Sequence, residues 1–339
     1  MKILVGLSGG VDSTYAALKL INEGHEVSGA VLKMHEYTDI LGAKTVADEL
    51  GIELHVIDAT ATFSKAVVPN FISEYLSART PNPCIICNER VKFRVLLDYA
   101  LQNGFEKIAT GHYARIVRQN GRYALADGAD KTKDQTYMLY RLSSDILSHL
   151  VLPLADLEKK EVVRLSSEAG ISAAERKESQ EICFIPDNDY ASYIERAVGP
   201  SREGDFVDEE GRVLGRHKGI IRYTVGQRKG LGVSASARIF VKDIDPCTDK
   251  ITLSLENPPT KTFKVKNVVW SGIAPLSCSE KMTLLVRVRY RAEKGECTVL
   301  VLDDGTLSVA LKTPQHFVTK GQSAVFYLDD TVAFGGFID

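Results

Sequence analysis

The chain has 339 residues, a length that corresponds to two or three domains of ordinary size. A hydrophobic fraction of 44% and a charged fraction of 25% are typical of a folded globular protein, and they exclude a disordered, collagen-like or disulfide-packed chain. Lysine and arginine total 42 against 44 aspartate and glutamate, so the formal net charge is −2. This balance disfavours a protein that coats nucleic acid non-specifically, and any basic surface has to be a local patch.

The first half of the chain alternates short apolar segments with longer amphipathic ones. Strands are predicted at residues 2–7, 26–34, 54–57 and 107–110, and helices at residues 12–23, 41–50, 63–76 and 89–102. Alternation of this kind predicts an α/β fold with a doubly wound parallel sheet.

After residue 200 the sequence changes character. Glycines become frequent and β-branched residues alternate with polar ones, as in half-buried strands. Asn257-Pro258-Pro259 is expected to be a linker, and Asp304-Gly305 a hairpin turn. The predicted division is an α/β domain at 1–198, a small β domain at 199–260 and a β-barrel at 261–339.

A glycine-rich loop lies where the first strand gives way to the first helix. Residues 8–13 read Ser-Gly-Gly-Val-Asp-Ser. Glycines let the backbone turn tightly and approach a ligand, and the amides at a helix N-terminus point toward an anion. The spacing is neither that of a Walker A loop nor that of the G-x-G-x-x-G dinucleotide fingerprint. A purely structural turn, capped by Asp12 or Ser13, is the alternative reading.

The six cysteines are too few for a disulfide scaffold and are unevenly placed. Cys84 and Cys87 form a C-x-x-C pair beside a Pro-Asn-Pro run that leads into a helix, whose N-terminus is expected to lower the thiol pKa. Cys183 follows the polar stretch 177–181 and precedes an apolar run. Small buried apolar residues are expected at the other three positions, which are Cys247, Cys278 and Cys297.

Cys84, Cys87 and Cys183 are consistent with two chemistries. In one, a cysteine carries a persulfide and another attacks it, which leaves a disulfide. In the other, the three thiolates hold three irons of a 4Fe–4S cluster and leave the fourth iron open. Zinc is a weaker option, because the motifs show no clear fourth ligand beside the three cysteines. His112 stays open as that ligand.

Motifs spread over nearly the whole chain carry a resemblance to known families. The glycine loop resembles the pyrophosphate-binding loop of the N-type ATP pyrophosphatases. The further motifs occupy residues 79–83, 87–88, 92–93, 109–115, 133–137, 182–185, 223–232, 289–291 and 321–327. In this order they resemble the tRNA-uridine 2-sulfurtransferases, also called tRNA-specific 2-thiouridylases.

The resemblance implies both an architecture and a reaction. The first domain would be a catalytic domain like the adenine-nucleotide α-hydrolases, and the C-terminal barrel would bind tRNA. The reaction would use ATP and Mg²⁺, with Asp12 helping to hold the metal. ATP would adenylate the 2-oxygen of the wobble uridine of tRNA, and sulfur would then displace AMP to give 2-thiouridine.

The resemblance also assigns residues to roles. Cys87 matches the family nucleophile and Cys183 the persulfide carrier, with Cys84 near the target base. The residues implied to contact ATP are Gly6, Leu7, Ser8, Gly9, Gly10, Val11, Asp12, Ser13, Met34 and Gly111. The residues implied to contact tRNA are Asn82, Pro83, His112, Lys133, Asp134, Gln135, Arg289, Tyr290 and Gln322.

Two departures from the family pattern affect these assignments. The commoner pattern has Asp, the proposed base for the nucleophile, where this chain has Cys84. That replacement favours the three-thiol 4Fe–4S reading more than the usual pattern would. The segment between Met34 and Leu41 is also short, whereas many relatives carry a long acidic insertion there.

Two other functions remain as alternatives. An AMP-forming amidotransferase or ligase would explain the glycine loop, but it has no need for Cys84, Cys87 and Cys183. A non-catalytic RNA-binding iron–sulfur protein would explain the thiols and the basic β half, but not the glycine loop.

Two local basic patches reconcile RNA binding with the net charge of −2. Residues 212–229 contain no acid and six basic residues, namely Arg212, Arg216, Lys218, Arg222, Arg228 and Lys229. Arg287, Arg289 and Arg291 alternate along a predicted strand, so their side chains should share one face. Tyr223 and Tyr290 lie among them and predict base stacking beside phosphate contacts.

The remaining expectations concern location and the sulfur donor. No stretch approaches the roughly 18 apolar residues of a membrane span, and the apolar N-terminus is too short for a signal peptide. The chain is therefore expected to be cytoplasmic, with no membrane partner. Its sulfur donor would be a persulfide relay protein, a desulfurase or free sulfide.

Overall fold

Three β-sheets organise the chain, and helices pack around the first of them. The computed structural model describes residues 1–119, 121–175, 182–233, 238–316 and 318–339. In that part of the chain the strands are β1 (Lys2–Gly6), β2 (Glu26–Lys33), β3 (Leu54–Asp58), β4 (Lys107–Ala109), β5 (Arg115–Gln119), β6 (Arg122–Ala126), β7 (Leu150–Val151), β8 (Gly204–Val207), β9 (Val213–His217), β10 (Phe240–Asp245), β11 (Lys250–Ser254), β12 (Thr260–Val269), β13 (Lys281–Arg287), β14 (Gly295–Val301), β15 (Leu307–Gln315), β16 (Ser323–Leu328) and β17 (Thr331–Ile338).

Helices fill most of the first half of the chain. They are α1 (Val11–Asn22), α2 (Ile40–Leu50), α3 (Thr60–Ala66), α4 (Val68–Leu76), α5 (Pro83–Cys87), α6 (Phe93–Gln102), α7 (Thr136–Leu139), α8 (Ser144–His149), α9 (Lys159–Glu168) and α10 (Tyr190–Val198). A π-turn, Asn88–Lys92, joins α5 to α6, and short 3₁₀ turns cover Ser172–Glu175 and Ile220–Arg222. No helix of the described residues is both long and apolar enough to cross a membrane.

The first sheet is parallel throughout and has the strand order β3-β2-β1-β4-β7. Strand β1 is central, and Ile3, Leu4 and Val5 are completely buried between helices on its two faces. Chain order reverses at β1, because β2 lies on one side of it and β4 on the other. In sheets of this kind, ligands bind at the carboxyl ends of the strands beside the reversal. The prediction of a doubly wound α/β fold is confirmed.

Two predicted helices begin or end elsewhere. The helix expected over 63–76 is divided into α3 and α4, because Pro69 has no N–H to continue the hydrogen-bonding pattern. The cysteine pair was expected in a loop that leads into a helix at residue 89. Instead α5 begins at Pro83, so Cys84 and Cys87 both lie within the helix. Asn82 caps it by accepting a hydrogen bond from the Cys84 amide, 3.2 Å away.

The β half contains a four-stranded sheet, β10-β11-β8-β9, and a barrel. In the barrel, β12-β15-β14-β13-β16-β17 closes through the pairing of β17 with β12. Gly305, with φ of +76°, forms the expected turn between β14 and β15. The predicted small β module and barrel are therefore confirmed, whereas the boundaries 1–198, 199–260 and 261–339 stay predictions.

An unexpected hairpin links the parallel sheet to the barrel. Strands β5 and β6 follow β4 in the chain, yet β6 pairs with β17 and extends the barrel sheet. Two buried ion pairs support this junction. Arg287 donates to Asp134 at 2.8 Å, and Lys294 reaches both oxygens of Asp127 at 2.8 and 2.9 Å. No local sequence pattern indicates this hairpin, because its register with β17 is a long-range property.

The α/β domain, the small β module and the barrel meet at Thr80. This residue lies just before α5, the helix that carries Cys84 and Cys87 and is called the cysteine helix below. Its amide donates to Lys320 O at 2.9 Å, and its carbonyl accepts from Gln322 Nε2 at 2.7 Å. Its hydroxyl lies 3.3 Å from the hydroxyl of Thr224, in the small β module. Gly321 has φ of +87°, and a Cβ there would lie 2.8 Å from Thr80 N. The barrel can approach the chain before α5 this closely only because residue 321 is glycine.

Tertiary contacts pair four residues of the two predicted basic patches with acids. Arg212 pairs with Asp208 and Glu210, Arg216 with Glu203 and Asp205, and Arg222 with Glu195. Strand β13 ends at Arg287, whose side chain is buried against Asp134. The expectation that Arg287, Arg289 and Arg291 share one face of a strand is therefore wrong.

Asp134→Asn should destabilise the fold by about 3 kcal/mol, because it leaves the guanidinium of Arg287 buried without its counter-charge. The side chains of the pair are 1% and 11% exposed. Urea unfolding followed by circular dichroism measures the loss. Glu296→Gln is the control, since the Lys312–Glu296 pair is 71% and 50% exposed and should contribute less than about 1 kcal/mol. Equal losses in the two variants would contradict the structural role of Asp134.

Candidate active site

The glycine loop turns tightly between β1 and α1. Gly9 has φ of +75°, and the Ser8 amide donates to the Ser13 hydroxyl at 3.1 Å. That hydroxyl donates onward to Gly10 O at 3.0 Å. Gly10 is the N-cap of α1 and makes no side-chain capping bond, so the first amides of this 12-residue helix have no cap from their own N-cap residue. An uncapped helix N-terminus behind a glycine turn fits an anionic phosphate group.

Gly111 lies directly against this loop at the end of β4. A Cβ at this position would be 2.5 Å from Asp12 C and 2.6 Å from Ser13 N. Nδ1 of the neighbouring His112 shares a hydrogen bond with the Thr110 hydroxyl, 2.9 Å away. Burial lowers the pKa of His112 to about 3, so its imidazole is neutral at pH 7. The segment after β4 thus connects the glycine loop to the thiols described below.

Asp12 is held by two groups that the sequence analysis missed. The Lys159 ammonium donates to both of its carboxylate oxygens, at 2.8 and 2.7 Å, and the Tyr113 hydroxyl donates to Oδ1 at 2.6 Å. Lys159 opens α9, far away in the chain, so no local pattern could reveal it. Mg²⁺ held by Asp12 would share the carboxylate oxygens with the Lys159 ammonium.

The backbone hydrogen-bonding pattern changes from α-helical to π-helical between α5, which carries Cys84 and Cys87, and Lys92. In the π-turn Asn88–Lys92, the Phe93 amide donates to Asn88 O, five residues back. The wider turn keeps Lys92 on the side of the helix that carries Cys87. Asn88 is 3% exposed and donates from Nδ2 to Met138 O at 3.0 Å, which fixes the turn. Such turns occur often at functional sites.

Aromatic packing holds Cys183 in place. The next residue, Phe184, is buried and packs edge-on to Phe71 and Phe63, with ring centroids 5.4 and 5.3 Å away. Cys183 itself is exposed. The polar stretch 177–181, which was singled out before Cys183, lies outside the described residues.

The structure brings the three thiols into one electrostatic environment. The pKa of Cys87 is raised to about 11, mainly by desolvation, which Lys92 partly opposes and to which Cys84 and Cys183 add. Cys84 and Cys183 keep exposed surface, yet surrounding protein still makes desolvation the largest cause of their raised pKa. Lys92 lowers the pKa of both. The expectation that the helix N-terminus lowers these thiol pKa values is wrong, because desolvation outweighs it.

The thiols adjoin the predicted ATP site. Cys87 Sγ lies 3.6 Å from Met34 Sδ, and Met34 follows β2 at the same edge of the sheet as the glycine loop. The group that would react with sulfur and the residues predicted to bind ATP are therefore neighbours.

The residues predicted to contact tRNA divide into two groups. Asn82 and Pro83 lie beside Cys84, His112 packs against Phe93 at the start of α6, and Gln322 reaches the loop before α5 through Thr80. Asp134 is buried in its pair with Arg287, and Gln135 exchanges hydrogen bonds with the Tyr113 backbone. Lys133 and Tyr290 are partly exposed nearby, Tyr290 against Tyr137, and Arg289 is exposed. Several of these residues thus position the site from within the protein.

The described residues form no site for a single metal ion. Among the described residues, which include Cys84, Cys87 and Cys183, no three histidine, cysteine or carboxylate side chains converge like the ligands of one metal ion. In a 4Fe–4S site each cysteine binds a different iron, so the ligand sulfurs do not converge on one ion, and the cluster stays a prediction.

Comparison with known proteins covers the whole chain. Family models described as a tRNA methyl transferase HUP domain, a tRNA methyl transferase PRC-barrel domain and an aminomethyltransferase β-barrel domain match residues 1–187, 191–254 and 260–338. The tRNA-specific 2-thiouridylase MnmA of Clostridium acetobutylicum is 40% identical over 355 residues, covering 99% of each chain. That of Clostridium kluyveri is 40% identical over 354 residues, covering 100% of this chain and 99% of its own. This chain belongs to the tRNA-specific 2-thiouridylase family.

Membership confirms the resemblance read from the motifs and the expectation of a sulfurtransferase enzyme at the level of the family. It also implies ATP and Mg²⁺. Solved structures are more distant. A 4-thiouridine synthetase–RNA complex with bound ATP is 17% identical, with a TM-score of 0.39, and covers 58% of this chain and 50% of its own. The NMN synthetase of Francisella tularensis is 21% identical, with a TM-score of 0.36, covering 52% and 66%. Neither likeness is close enough to carry an argument.

Gly111→Ala should reduce ATP-dependent pyrophosphate release more than tenfold, because its Cβ would displace the backbone of Asp12 and Ser13. A coupled pyrophosphate assay measures the effect. Gly215→Ala is the control, since its Cβ would meet its nearest neighbour, Val233, at 3.4 Å. An unchanged rate in Gly111→Ala would show that the close packing of these segments does not shape the loop.

The Cys87 thiol should alkylate slowly at pH 8, where a pKa of about 11 leaves roughly one thiol in a thousand ionised. In a Cys84→Ser, Cys183→Ser background, peptide mass spectrometry separates the iodoacetamide rate of Cys87 from those of the exposed Cys247 and Cys278, and this rate should keep rising to about pH 11. Lys92→Met should shift this profile to higher pH, because it removes the cation that stabilises the thiolate, whereas Lys92→Arg should retain it. Identical profiles for Met and Arg at residue 92 would refute the electrostatic role of Lys92.

Proposed function

We propose that this protein converts the wobble uridine of tRNA to 2-thiouridine, using ATP and a persulfide relay between Cys183 and Cys87. The observation that carries the proposal is the 3.6 Å contact between Cys87 Sγ and Met34 Sδ. This contact supports the proposal because Cys87, the proposed thiol of the relay, lies beside Met34, one of the residues proposed to bind ATP. The named relatives, at about 40% identity over the full chain, support tRNA as the substrate.

The first step activates the uridine. Its 2-oxygen attacks the α-phosphorus of ATP, an O–P bond forms, and the bond to the β-phosphate oxygen breaks. The amides of residues 9–11 would hold the leaving pyrophosphate at the N-terminus of α1. The Lys159 ammonium, beside the loop on Asp12, would offset the charge that gathers on the leaving group. Asp12 would hold Mg²⁺, which would supply positive charge to neutralise the phosphates.

The second step transfers sulfur. A persulfide donor first gives its terminal sulfur to Cys183. That sulfur attacks C2 of the activated uridine, a C–S bond forms, and AMP leaves with the former 2-oxygen. The Cys87 thiolate then attacks Cys183 Sγ, and the electron pair of the broken S–S bond stays on the uridine sulfur. The products are 2-thiouridine and a Cys87–Cys183 disulfide, which a dithiol reductant returns to thiols.

The balance of charge around the thiols suits a relay that is inactive until substrate is bound. Desolvation keeps Cys87 protonated at neutral pH, whereas Lys92 favours its thiolate. A resting thiol of this kind resists stray oxidation, because the thiolate is the reactive form. Cys84 stands where the family commonly has a carboxylate, so it supplies no strong base beside Cys87 at neutral pH.

A cytoplasmic location forms part of this proposal. All six cysteines are unbridged, as expected in a compartment that keeps thiols reduced. The sulfur donor is proposed to be a persulfide-bearing protein, with a desulfurase and free sulfide as the alternatives.

Cys87→Ser and Cys183→Ser should each abolish 2-thiouridine formation while tRNA-dependent pyrophosphate release continues, because adenylation needs neither thiol. Mass spectrometry of nucleosides from digested tRNA measures the product. Cys247→Ser is the matched control, since Cys247 is exposed and lies in the small β module. Near wild-type 2-thiouridine in either active-site variant would refute the relay.

Two further measurements separate the alternative functions. Anaerobic purification with an iron and acid-labile sulfide assay tests the cluster, and loss of iron together with activity in Cys84→Ser would replace the relay by cluster chemistry. Pyrophosphate release that does not depend on tRNA would favour an AMP-forming ligase. No release under any condition would favour a non-catalytic RNA-binding protein.

A further inference from the structure

A cavity of about 430 Å³ lies where α4 and α5 face the barrel. Its walls come from the segment before α5, from the π-turn and from strands β12 and β17. None of the residues 8–13 and none of the three active-site cysteines lines it. The cysteine helix is shared, because Ile86 and Arg90 face this cavity while Cys87 contacts Met34. A volume of this size is ordinary for a ligand site.

The charge of the cavity favours an anion. Its lining includes the cations Arg79, Arg90, Arg141 and Lys266 but only two acids, Glu74 and Asp339. Both acids are already paired, Glu74 by two 2.8 Å bonds from Arg79 and Asp339 by Lys266 at 2.8 Å.

Arg90 carries the excess positive charge. The Glu89 carboxylate lies 2.8 Å from Arg141 Nε and 3.6 Å from Arg90 Nε, so two guanidinium groups share one acid. The Arg141 side chain is 8% exposed, whereas that of Arg90 is 55% exposed. Arg90 can therefore turn toward a phosphate at little cost.

The rest of the lining suits a nucleobase. Asn70, Asn82 and Asn267 supply amide donors and acceptors, and Ile86 and Phe337 supply apolar surface. The Arg141 guanidinium lies over the Phe337 ring, 4.9 Å from its centroid. Proteins read single-stranded RNA by binding splayed bases between apolar or guanidinium surfaces and by hydrogen bonding their edges.

A β-bulge shapes the barrel side of the cavity. Lys266 pairs with Phe337 and Val269 with Gly335, so two residues of β12 oppose one residue of β17. Asn267, within the bulge, has φ of +52°, and its carbonyl accepts from Arg141 Nη1 at 3.0 Å. Bulges redirect side chains near functional sites. Here the bulge turns Asn267 and Val268 to the cavity.

We propose that this cavity binds a nucleotide of the tRNA anticodon loop that neighbours the target uridine, with its phosphate on Arg90. The inference rests on the proposed function. Asn82 connects the two sites, since it caps the cysteine helix and also lines the cavity. An RNA strand whose target base lies at Cys84 therefore leads past Asn82 to the cavity, which would make the enzyme sensitive to the anticodon sequence.

The first test removes the phosphate contact. The affinity of an anticodon stem-loop RNA is measured by fluorescence anisotropy at several salt concentrations. Arg90→Ala should weaken binding about tenfold and reduce the slope of log affinity against log salt by about one. Arg94→Ala is the matched control, because it lies one turn further on, is 49% exposed and pairs with Asp98 outside the cavity. Equal affinities for Arg90→Ala and Arg94→Ala would overturn the proposal.

The second test removes the base. Stem-loops with an abasic nucleotide on either side of the target uridine are compared with the intact RNA. One of them should bind the wild-type protein about tenfold more weakly. Asn70→Trp fills the cavity from α4, so its affinity should no longer depend on that base, and its circular dichroism spectrum confirms folding. The same abasic penalty in wild type and Asn70→Trp would overturn the proposal.

Two further outcomes separate this inference from its neighbours. Uridine monophosphate that binds the wild-type protein but not Asn70→Trp, with stem-loop affinity unchanged, would assign the cavity to free nucleotides and overturn the RNA assignment. Base-dependent stem-loop binding without any 2-thiouridine product would support the cavity and refute the proposed chemistry.

Discussion

The hydrogen bonds at Thr80 are the constraint on which the rest of the site depends. The amide and carbonyl of this residue both bond to the barrel, and its hydroxyl meets the small β module. Asn82 follows two residues later and starts the cysteine helix. The barrel and the small module therefore set where the helix begins, although neither contributes a cysteine that reacts. A glycine at position 321 is required for this approach, because a Cβ there would meet Thr80 N at 2.8 Å.

Two opposing effects set the pKa values of the three thiols, namely desolvation and the charge of one nearby cation. Protein packed around Cys84, Cys87 and Cys183 raises their pKa values, and Lys92 lowers all three. The π-turn is what keeps Lys92 on the same side of the helix as Cys87. A regular α-helix would rotate the lysine away, so a local change in backbone register tunes the reactivity of residues on two separate segments.

The distribution of charge explains how a chain with a net charge of −2 can bind RNA. Many basic side chains that are adjacent in sequence, such as Arg212, Arg216 and Arg222, are paired with acids in the fold. Others come together only through folding, as at the cavity, where Arg90 and Arg141 share one carboxylate. The cavity between α4, α5 and the barrel is therefore one local basic site in a chain whose net charge is −2.

The sequence by itself determined the elements and motifs whose signals are local. Periodicity specified the parallel sheet, the glycine loop specified the tight turn into the first helix, and the ordered motifs specified the family. Only the tertiary structure decided the pairing of Asp12 with Lys159, 147 residues away, and of Thr80 with Gln322, 242 residues away. It also reversed the expected direction of the thiol pKa shifts. The reason is physical: hydrophobic periodicity and turn propensity depend on near neighbours in the chain, whereas desolvation and charge pairing depend on which distant segments pack together.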